Sequence, residues 1–327
     1  IFLAGNSSQY PYVEEMFKSY EEKMKDKFKT INTSHGFVKE RSIITNAKIH
    51  KNKKIVLNLD LKDFFDSFHF GRVKGFFEKN KDFKSFFPEL TSELATLIAQ
   101  LVCFNRKLPQ GAPSSPLLTN LICNIFDVRV LKLAKKYKLT YSRYADDLTF
   151  STNYKGFIEN LEKFKEDILL EIKKNGFEAN MKKYRLTFQN SRQEVTGLTV
   201  NKKINVSRKY YKYTRAMAYS LYKNGEFKID EIDGTINQLE GRFSFINQLD
   251  KYNNSESEKR KKFIVRDVLN SREKQYQNFL FYKYFFMNKK PLIVTEGKTD
   301  ILYIKAALKN LYSEYPNLII KEENNFI

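Results

Sequence analysis

Asp60 closes the apolar run Ile55-Val-Leu-Asn-Leu59, and 86 positions downstream Asp146 and Asp147 stand side by side between Tyr144-Ala145 and Leu148-Thr-Phe150. A carboxylate at the tip of a buried strand meets a carboxylate pair at the tip of a hairpin when both elements share a sheet. Their oxygens are hard donors of the kind Mg²⁺ prefers. Two such ions, roughly 3.5–4 Å apart, can activate an attacking hydroxyl and steady a pyrophosphate leaving group. Asp63 and Asp66 follow closely, but they fall on the next segment and read better as turn or cap residues.

The elements that must hold these groups follow from pattern. Residues 55–60 read as a buried strand delivering Asp60 at its end. Helix is expected from Phe64 to Glu78 and from Leu90 to Phe104. The stretch Leu108-Pro-Gln-Gly-Ala-Pro-Ser-Ser-Pro116, with three prolines and a glycine, breaks regular structure before a long apolar helix from about Leu117 to Tyr137. Thr140 to Ser151 suits a hairpin with Asp146 and Asp147 at its turn. Phe157 to Asn175 has an amphipathic helical pattern that Gly176 can close. Lys183 to Val206 reads as short strands and Arg208 to Lys223 as a basic, tyrosine-rich helix. More helix is expected to about Asn288, interrupted at Tyr252-Asn-Asn-Ser-Glu-Ser257. Upstream, Glu14 to Phe28 has helical spacing. At the other end, Pro291 to Asp300 reads as strand, acidic turn and the start of a helix.

Composition narrows the partners. The 327 residues hold 58 Lys and Arg against 38 Asp and Glu, a net charge of +20. That surplus points to a polyanion, because basic groups release counterions from phosphate backbones; a surface kept basic for solubility is the plainer alternative. The length suits two domains, or one large domain with appendages. With 29 Phe and 20 Tyr, general disorder is not expected. Cys103 and Cys123 make no disulfide framework, and three histidines without a Cys-x-x-Cys spacing leave little for zinc. The aromatic stretch Phe279 to Met287 is broken by Lys283 and falls short of the roughly 18 apolar residues of a membrane span. A reducing cytoplasmic setting without membrane contact is expected. Because the chain starts at Ile1, loss of an N-terminal targeting segment stays open.

Taken in order, Leu59-Asp60-Leu-Lys-Asp63-Phe64-Phe65-Asp66, Leu108-Pro-Gln-Gly-Ala-Pro113 and Tyr144-Ala-Asp-Asp147 resemble the palm of a reverse transcriptase. Asn46-Ala-Lys-Ile-His50 is similar to the Asn-Ala-x-x-His signature of the bacterial retron branch, and Val195-Thr-Gly197 to its Val-Thr-Gly signature. The resemblance covers about residues 1–288. It implies an α+β right-hand polymerase, with fingers and palm over 1–206 and a helical, RNA-binding thumb over 207–288.

It also implies roles. Asp60, Asp146 and Asp147 would be catalytic and would hold two Mg²⁺ ions. Phe65 would gate against a ribose 2′-hydroxyl, unless it is only core. Gln110, Gly111 and Ala112 would line the pocket for the incoming nucleotide, glycine allowing close backbone approach. Lys183, or equally Lys182, would protonate the pyrophosphate. Arg41 would reach the triphosphate, or else lie in solvent. Val195, Thr196, Gly197 and the basic-aromatic set Arg208, Lys209, Tyr210, Lys212 and Arg215 would bind RNA, while Asn46 and His50 would do so or form a satisfied structural pair. By the same resemblance the enzyme would bind its cognate structured noncoding RNA and prime from a guanosine 2′-hydroxyl. It would then use dNTPs to make branched single-stranded DNA (msDNA), in the setting of anti-phage defence.

Leu292-Ile-Val-Thr-Glu-Gly-Lys-Thr-Asp300 is no phosphate-cradling loop, since Leu292 stands where the first glycine is needed. It resembles the opening of a Toprim domain, with Glu296 as its acid, so 289–327 reads as a partial, catalytically silent Toprim-like α/β segment. A group II intron-type reverse transcriptase, an RNA polymerase and an idle RNA-binding scaffold are the alternatives. Phe65 argues against ribonucleotide use, and packed like charges without metal argue against the scaffold. Oligomeric state and further effector contacts stay open.

Overall fold

The computed structural model describes residues 33–258, 269–289, 292–319, 321–322 and 325–326. The helix expected over Glu14 to Phe28 lies outside them. The elements are α1 (Ile43–His50), β1 (Ile55–Asp60), α2 (Phe70–Lys79), α3 (Lys81–Phe86), α4 (Ser92–Val102), α5 (Ser114–Lys136), β2 (Thr140–Tyr144) and β3 (Asp147–Thr152). There follow α6 (Leu161–Lys174), β4 (Arg185–Phe188), β5 (Glu194–Val195), β6 (Leu198–Thr199), α7 (Arg208–Asn224), β7 (Lys228–Ile229), β8 (Ile232–Asp233), α8 (Ile236–Glu258), α9 (Ser271–Phe281) and α10 (Lys298–Asn310).

A four-stranded antiparallel sheet in the order β2-β3-β1-β4 carries the site. Its central strand is buried on both faces, and alternation decides what each residue meets. Ile55, Leu57 and Leu59 enter the main core with Phe150 of β3, Leu118 and Phe126 of α5, and Phe164 and Ile168 of α6. Val56 points to a second core with Ile44 and Ala47 of α1, Val195, Leu198, and Ile246 and Leu249 of α8. α1 starts on a capping box in which Ser42 accepts from the Ile44 and Thr45 amides and Thr45 returns the bond to the Ser42 amide. Compactness groups Thr33–Thr214 with the residues from Ser244 to the end of α8; a second unit takes Arg215–Phe243 and the described residues from Leu269 on. In that second unit Met217, Leu221, Phe227, Leu239, Phe243 and Phe279 form a separate small core.

Several expected elements are redrawn by side chains. The helix expected over 64–78 is broken: Phe65–Ser67 is a single 3₁₀ turn, and α2 begins afresh with His69 as its cap, accepting from the Arg72 amide. Phe64 and Phe68 cause the break by turning inward onto Phe177, with ring centroids 5.8 and 5.6 Å away. α5 starts at Ser114, earlier than the prolines suggest, because Pro116 lies in the first turn where no amide partner is needed. α6 begins at Leu161, after a 3₁₀ stretch over Lys155–Asn160.

The polar stretch 252–257 does not interrupt α8, since the Asn253 amide ties back to the carbonyls of Leu249 (2.9 Å) and Ile204 (2.7 Å). Instead the β7–β8 hairpin separates α7 from α8. Residues 292–295, expected as a strand, have no strand pairing, and Leu292, Ile293 and Val294 are exposed. A lone strand leaves its amides and carbonyls without partners. Only the helical half of that motif, α10, forms there. Among the described residues no helix is long and apolar enough to cross a membrane.

Candidate active site

β1 and β3 run in a register that places Asp60 directly opposite Asp147, while Tyr144 pairs with Asp147 across the hairpin. The intervening turn is only Ala145-Asp146. Its conformation puts Ala145 at φ 54°, a left-handed value unusual for a residue with a Cβ. The Leu61 amide donates to the Asp146 carbonyl (3.0 Å), so the residue after Asp60 clamps the turn to β1. Strand pairing and this clamp bring all three aspartates to one end of the sheet. Asp60 is buried; its Oδ1 accepts from the Asn180 amide group (3.1 Å) and its Oδ2 from the Lys183 ammonium (2.8 Å).

Crowding shows in the protonation equilibria. Desolvation and then the charges of Asp146 and Asp60 push Asp147 up to about 6, although its side chain still reaches solvent. Asp146 is raised as well, by desolvation and by the charge of Asp60. The hydrogen bond and charge of Asp60 raise Lys183 in turn. Among the described residues no three ligating groups are drawn into a ready-made metal cage. The donor chemistry nonetheless fits a divalent cation: the three groups are hard oxygen donors that repel one another, and on Asp60 an ammonium supplies the positive charge.

The other candidate residues sit on neighbouring segments. Phe65 sits in the 3₁₀ turn after Asp60, partly buried against the main core, edge-on to Phe64 (5.5 Å) and Phe37 (6.4 Å). Gln110 and Gly111 are exposed and Ala112 half-buried just before α5. Gly111 adopts φ +94° with open space where a Cβ would lie, so glycine is needed here for the turn and not to avoid a clash. Arg41 directs its guanidinium to the Ser34 carbonyl. Both lysine candidates are exposed, and Lys183 reaches across to bond Asp60.

Residues 10–201 match the family model described as reverse transcriptase (RNA-dependent DNA polymerase). The chain is 33% identical over 231 residues to the retron Ec73 reverse transcriptase of Escherichia coli, an alignment covering 68% of this chain and 71% of that protein. This chain belongs to the retron-type reverse transcriptases. Retron Ec86 reverse transcriptase of Escherichia coli is 34% identical over 210 residues, 64% of this chain and 62% of its own. Retron Mx65 reverse transcriptase of Myxococcus xanthus is 34% identical over 230 residues, 66% of this chain and 51% of its own. The chain thus spans only about half to under two thirds of these last two relatives. Among solved structures, telomerase from Candida albicans in complex with a telomeric RNA fragment aligns over 91% of this chain and 56% of that one. Its TM-score of 0.44 and 11% identity are too low to add to the assignment.

The two retron signatures meet inside the protein. Asn46 and His50 lie on one face of α1 and are fully buried. Ser142 donates to Asn46 Oδ1 (2.6 Å), and Asn46 Nδ2 donates to the Thr196 hydroxyl (3.4 Å). His50 bonds Ser142 through Nε2 and Ser151 through Nδ1, both at 2.7 Å. Since the Ser142 proton goes to Asn46, His50 Nε2 is the donor and Nδ1 the acceptor, a neutral ring. Burial holds its pKa down to about 3. Val195 is buried too, while Thr196 (φ 45°) and Gly197 (φ 78°) form the β5–β6 turn. Of the two readings of Asn46 and His50, the structure shows the satisfied buried pair, bonded between α1 and the β2–β3 hairpin, and Val195 packs in the second core, so none of the three side chains is exposed. Gly197 keeps an exposed position.

On α7, Arg208, Lys209, Lys212 and Arg215 are exposed, whereas Tyr210 is half-buried, edge-on to Phe245 at 6.1 Å. Glu296 is exposed just before α10. Sequence reasoning missed Asn180, which bonds Asp60, and three residues packed around the Ala145-Asp146 turn: the buried Arg143–Asp127 ion pair, whose Arg143 donates to the Ala145 carbonyl, and Gly36 against the Ala145 nitrogen. Only Arg143 carries a local signal, being the one charged residue of the strand Thr140-Tyr-Ser-Arg-Tyr144 beside the aspartate pair.

Proposed function

We propose that this chain is the polymerase of a retron, an RNA-directed DNA polymerase that copies part of its own structured noncoding RNA into branched msDNA. The observation that carries the reading is the register of Asp60 against Asp147 with Asp146 in the clamped turn beside them. Asp60, Asp146 and Asp147 are the groups that would hold two Mg²⁺ ions. When bound, such ions would supply the charge that lowers the pKa of the attacking hydroxyl and offsets charge on the pyrophosphate.

The chain's own residues do the rest. The attacking hydroxyl oxygen bonds to the α-phosphorus of a dNTP, and the bond from that phosphorus to pyrophosphate breaks. Lys183, kept protonated by Asp60, is positioned to give a proton to the leaving pyrophosphate. Phe65 stands on the turn after Asp60, where its ring excludes a ribose 2′-hydroxyl and favours deoxynucleotides. Gln110, Gly111 and Ala112 line the triphosphate side, and Arg41 lends charge from the fingers. RNA is held along the exposed basic groups of α7. Asn46, His50 and Val195 contribute to RNA choice indirectly, by fixing the β5–β6 turn that presents Thr196 and Gly197.

The division into fingers and palm (1–206), thumb (207–288) and a Toprim-like segment (289–327) with Glu296 as its acid belongs to the same proposal. So do the cytoplasmic setting and a role in anti-phage defence. The test is extension by protein purified with its native RNA, in Mg²⁺, with labelled dNTPs or labelled NTPs. Metal-dependent DNA labelling, with product joined to RNA after protease and freed by a debranching enzyme, is expected. Synthesis only from an added primer, without a branched product, removes the retron reading and keeps the polymerase.

A further inference from the structure

Arg143 heads the large side chains fully buried among the described residues, an unusual place for a guanidinium. It lies on β2, one residue before the Tyr144-Ala-Asp-Asp147 motif, on the sheet face opposite Asp60 and Asp147. Its Nε donates to Asp127 Oδ1 (2.8 Å), and its Nη2 to Asp127 Oδ2 (2.7 Å), in a forked pair with the buried carboxylate of α5. Nη2 also reaches Asn120 Oδ1 (3.1 Å) and Ser34 Oγ (3.3 Å). Tyr141 donates to Asp127 from the same strand (2.9 Å). The remaining arm, Nη1, donates to the Ala145 carbonyl (3.1 Å).

That last bond is the informative one. Ala145 holds the left-handed backbone of the two-residue turn, a strained state that persists only when its surroundings over-determine it. Two neighbours add to the restraint. The Leu61 amide holds the Asp146 carbonyl from the β1 side, and Gly36 packs so tightly that a Cβ on it would lie 2.6 Å from the Ala145 nitrogen. Gly36 is itself fixed, since Asn120 donates to its carbonyl (2.9 Å), and the neighbouring segment pairs with β2 through Thr33 and His35. A buried ion pair is seldom needed for stability, because desolvation offsets much of its attraction. An arginine has the donors to bind a carboxylate as a fork and still hold a carbonyl, which a lysine lacks.

We propose that Arg143, oriented by Asp127, is a positioning residue that locks the Ala145-Asp146 turn and so sets where the Asp146 and Asp147 carboxylates stand. This rests on the reading of those aspartates as catalytic. Displacements of about 1 Å in a reacting group cost roughly 10²-fold in rate, which sets the size of the expected effect.

The test separates stability from positioning. Asp127→Leu alone leaves Arg143 charged and unpaired and is expected to melt far below wild type. The double variant Asp127→Leu/Arg143→Met replaces the pair by apolar groups and recovers most of that stability. Its kcat on an added primer–template is expected to stay roughly 10²-fold low, with KM for dNTP changed less than threefold. Hydrogen exchange at the turn amides of Ala145 and Asp146 is expected to quicken in the same folded variant, a readout that needs no activity. Arg143→Lys, which keeps a charge beside Asp127 but lacks the donors to fork to it and also hold the Ala145 carbonyl, is expected to lower kcat as well and serves if the double variant does not fold. A folded double variant, or a folded Arg143→Lys protein, with wild-type kcat and unchanged turn exchange overturns the proposal. Should the wild type synthesise no DNA, the catalytic reading fails, while the exchange measurement still decides whether Arg143 locks the turn.

Discussion

Asp147 shares the end of the sheet with two other carboxylates, and the repulsion has consequences for both stability and rate. Asp147→Asn removes one charge from a crowded cluster, so its melting temperature is expected to equal or exceed that of wild type. Its DNA synthesis is expected to fall by about 10³-fold or more, the scale of the several kcal/mol that metal-held charge contributes to such a transition state. Thermal unfolding and single-turnover extension on the same preparation check both halves. Phe65 allows a second prediction. Phe65→Ala opens the space a 2′-hydroxyl would occupy, so the ratio of NTP to dNTP incorporation is expected to rise roughly 10- to 100-fold, read from kcat/KM for each. The aspartates were readable from residue order alone because an apolar strand ending in Asp and a Tyr-Ala-Asp-Asp hairpin are local patterns. Asn180, 120 positions from the Asp60 carboxylate it bonds, leaves no such trace.

Elements explain what the retron signatures do. His50 on α1 spans Ser142 of β2 and Ser151 of β3, so it stitches a helix to a hairpin as a neutral ring. Its folded pKa of about 3 lies below the ordinary 6.5. Above pH 6.5 both folded and unfolded states keep the ring neutral and its contribution to stability is fully present. As pH falls the unfolded chain takes a proton that the folded state refuses, so stability is lost progressively from 6.5 down to about 3, by up to about 1.4 kcal/mol per pH unit. Between pH 6.5 and 5, where Asp147 titrates alike in both proteins, His50→Gln is expected to flatten the slope by about one proton relative to wild type in denaturant-unfolding curves. At the β5–β6 turn, Gly197→Val is expected to lower stability by about 1–2 kcal/mol, because φ 78° strains a residue with a Cβ. The spacing of Asn46 and His50 on one helix face was visible in the sequence. That the face turns inward was not, since their partners come from strands about a hundred positions away. The same limit explains α8, where one buried-facing amide, Asn253, carries helix through a stretch whose composition reads as a break.

At the scale of the molecule, the net charge of +20 and the exposed basic face of α7 belong together. A variant with Arg208, Lys209 and Lys212 all changed to Gln is expected to bind the native RNA more weakly. Its log affinity against log salt should become shallower by roughly 0.7–0.9 for each phosphate that is no longer neutralised, measured by fluorescence anisotropy across a salt series. Polymerase activity on a short added primer–template is expected to change far less, because the three side chains are exposed and take no part in the strand register that holds the aspartates. Charge balance and the order of the three palm motifs made the family legible without coordinates. The segment 292–300 shows the opposite case: its helix forms, but the strand half has nothing described to pair with, and pattern alone cannot supply a neighbour.

The most direct measurement is extension of an RNA-templated primer with labelled dNTPs, wild type against Asp147→Asn, each in Mg²⁺ and in EDTA. Metal-dependent DNA synthesis by wild type, lost in a variant that melts no lower, is the predicted result. Equal synthesis by both proteins, or none by a folded wild type with its native RNA, would contradict the assignment of the Asp60, Asp146 and Asp147 cluster as a polymerase centre.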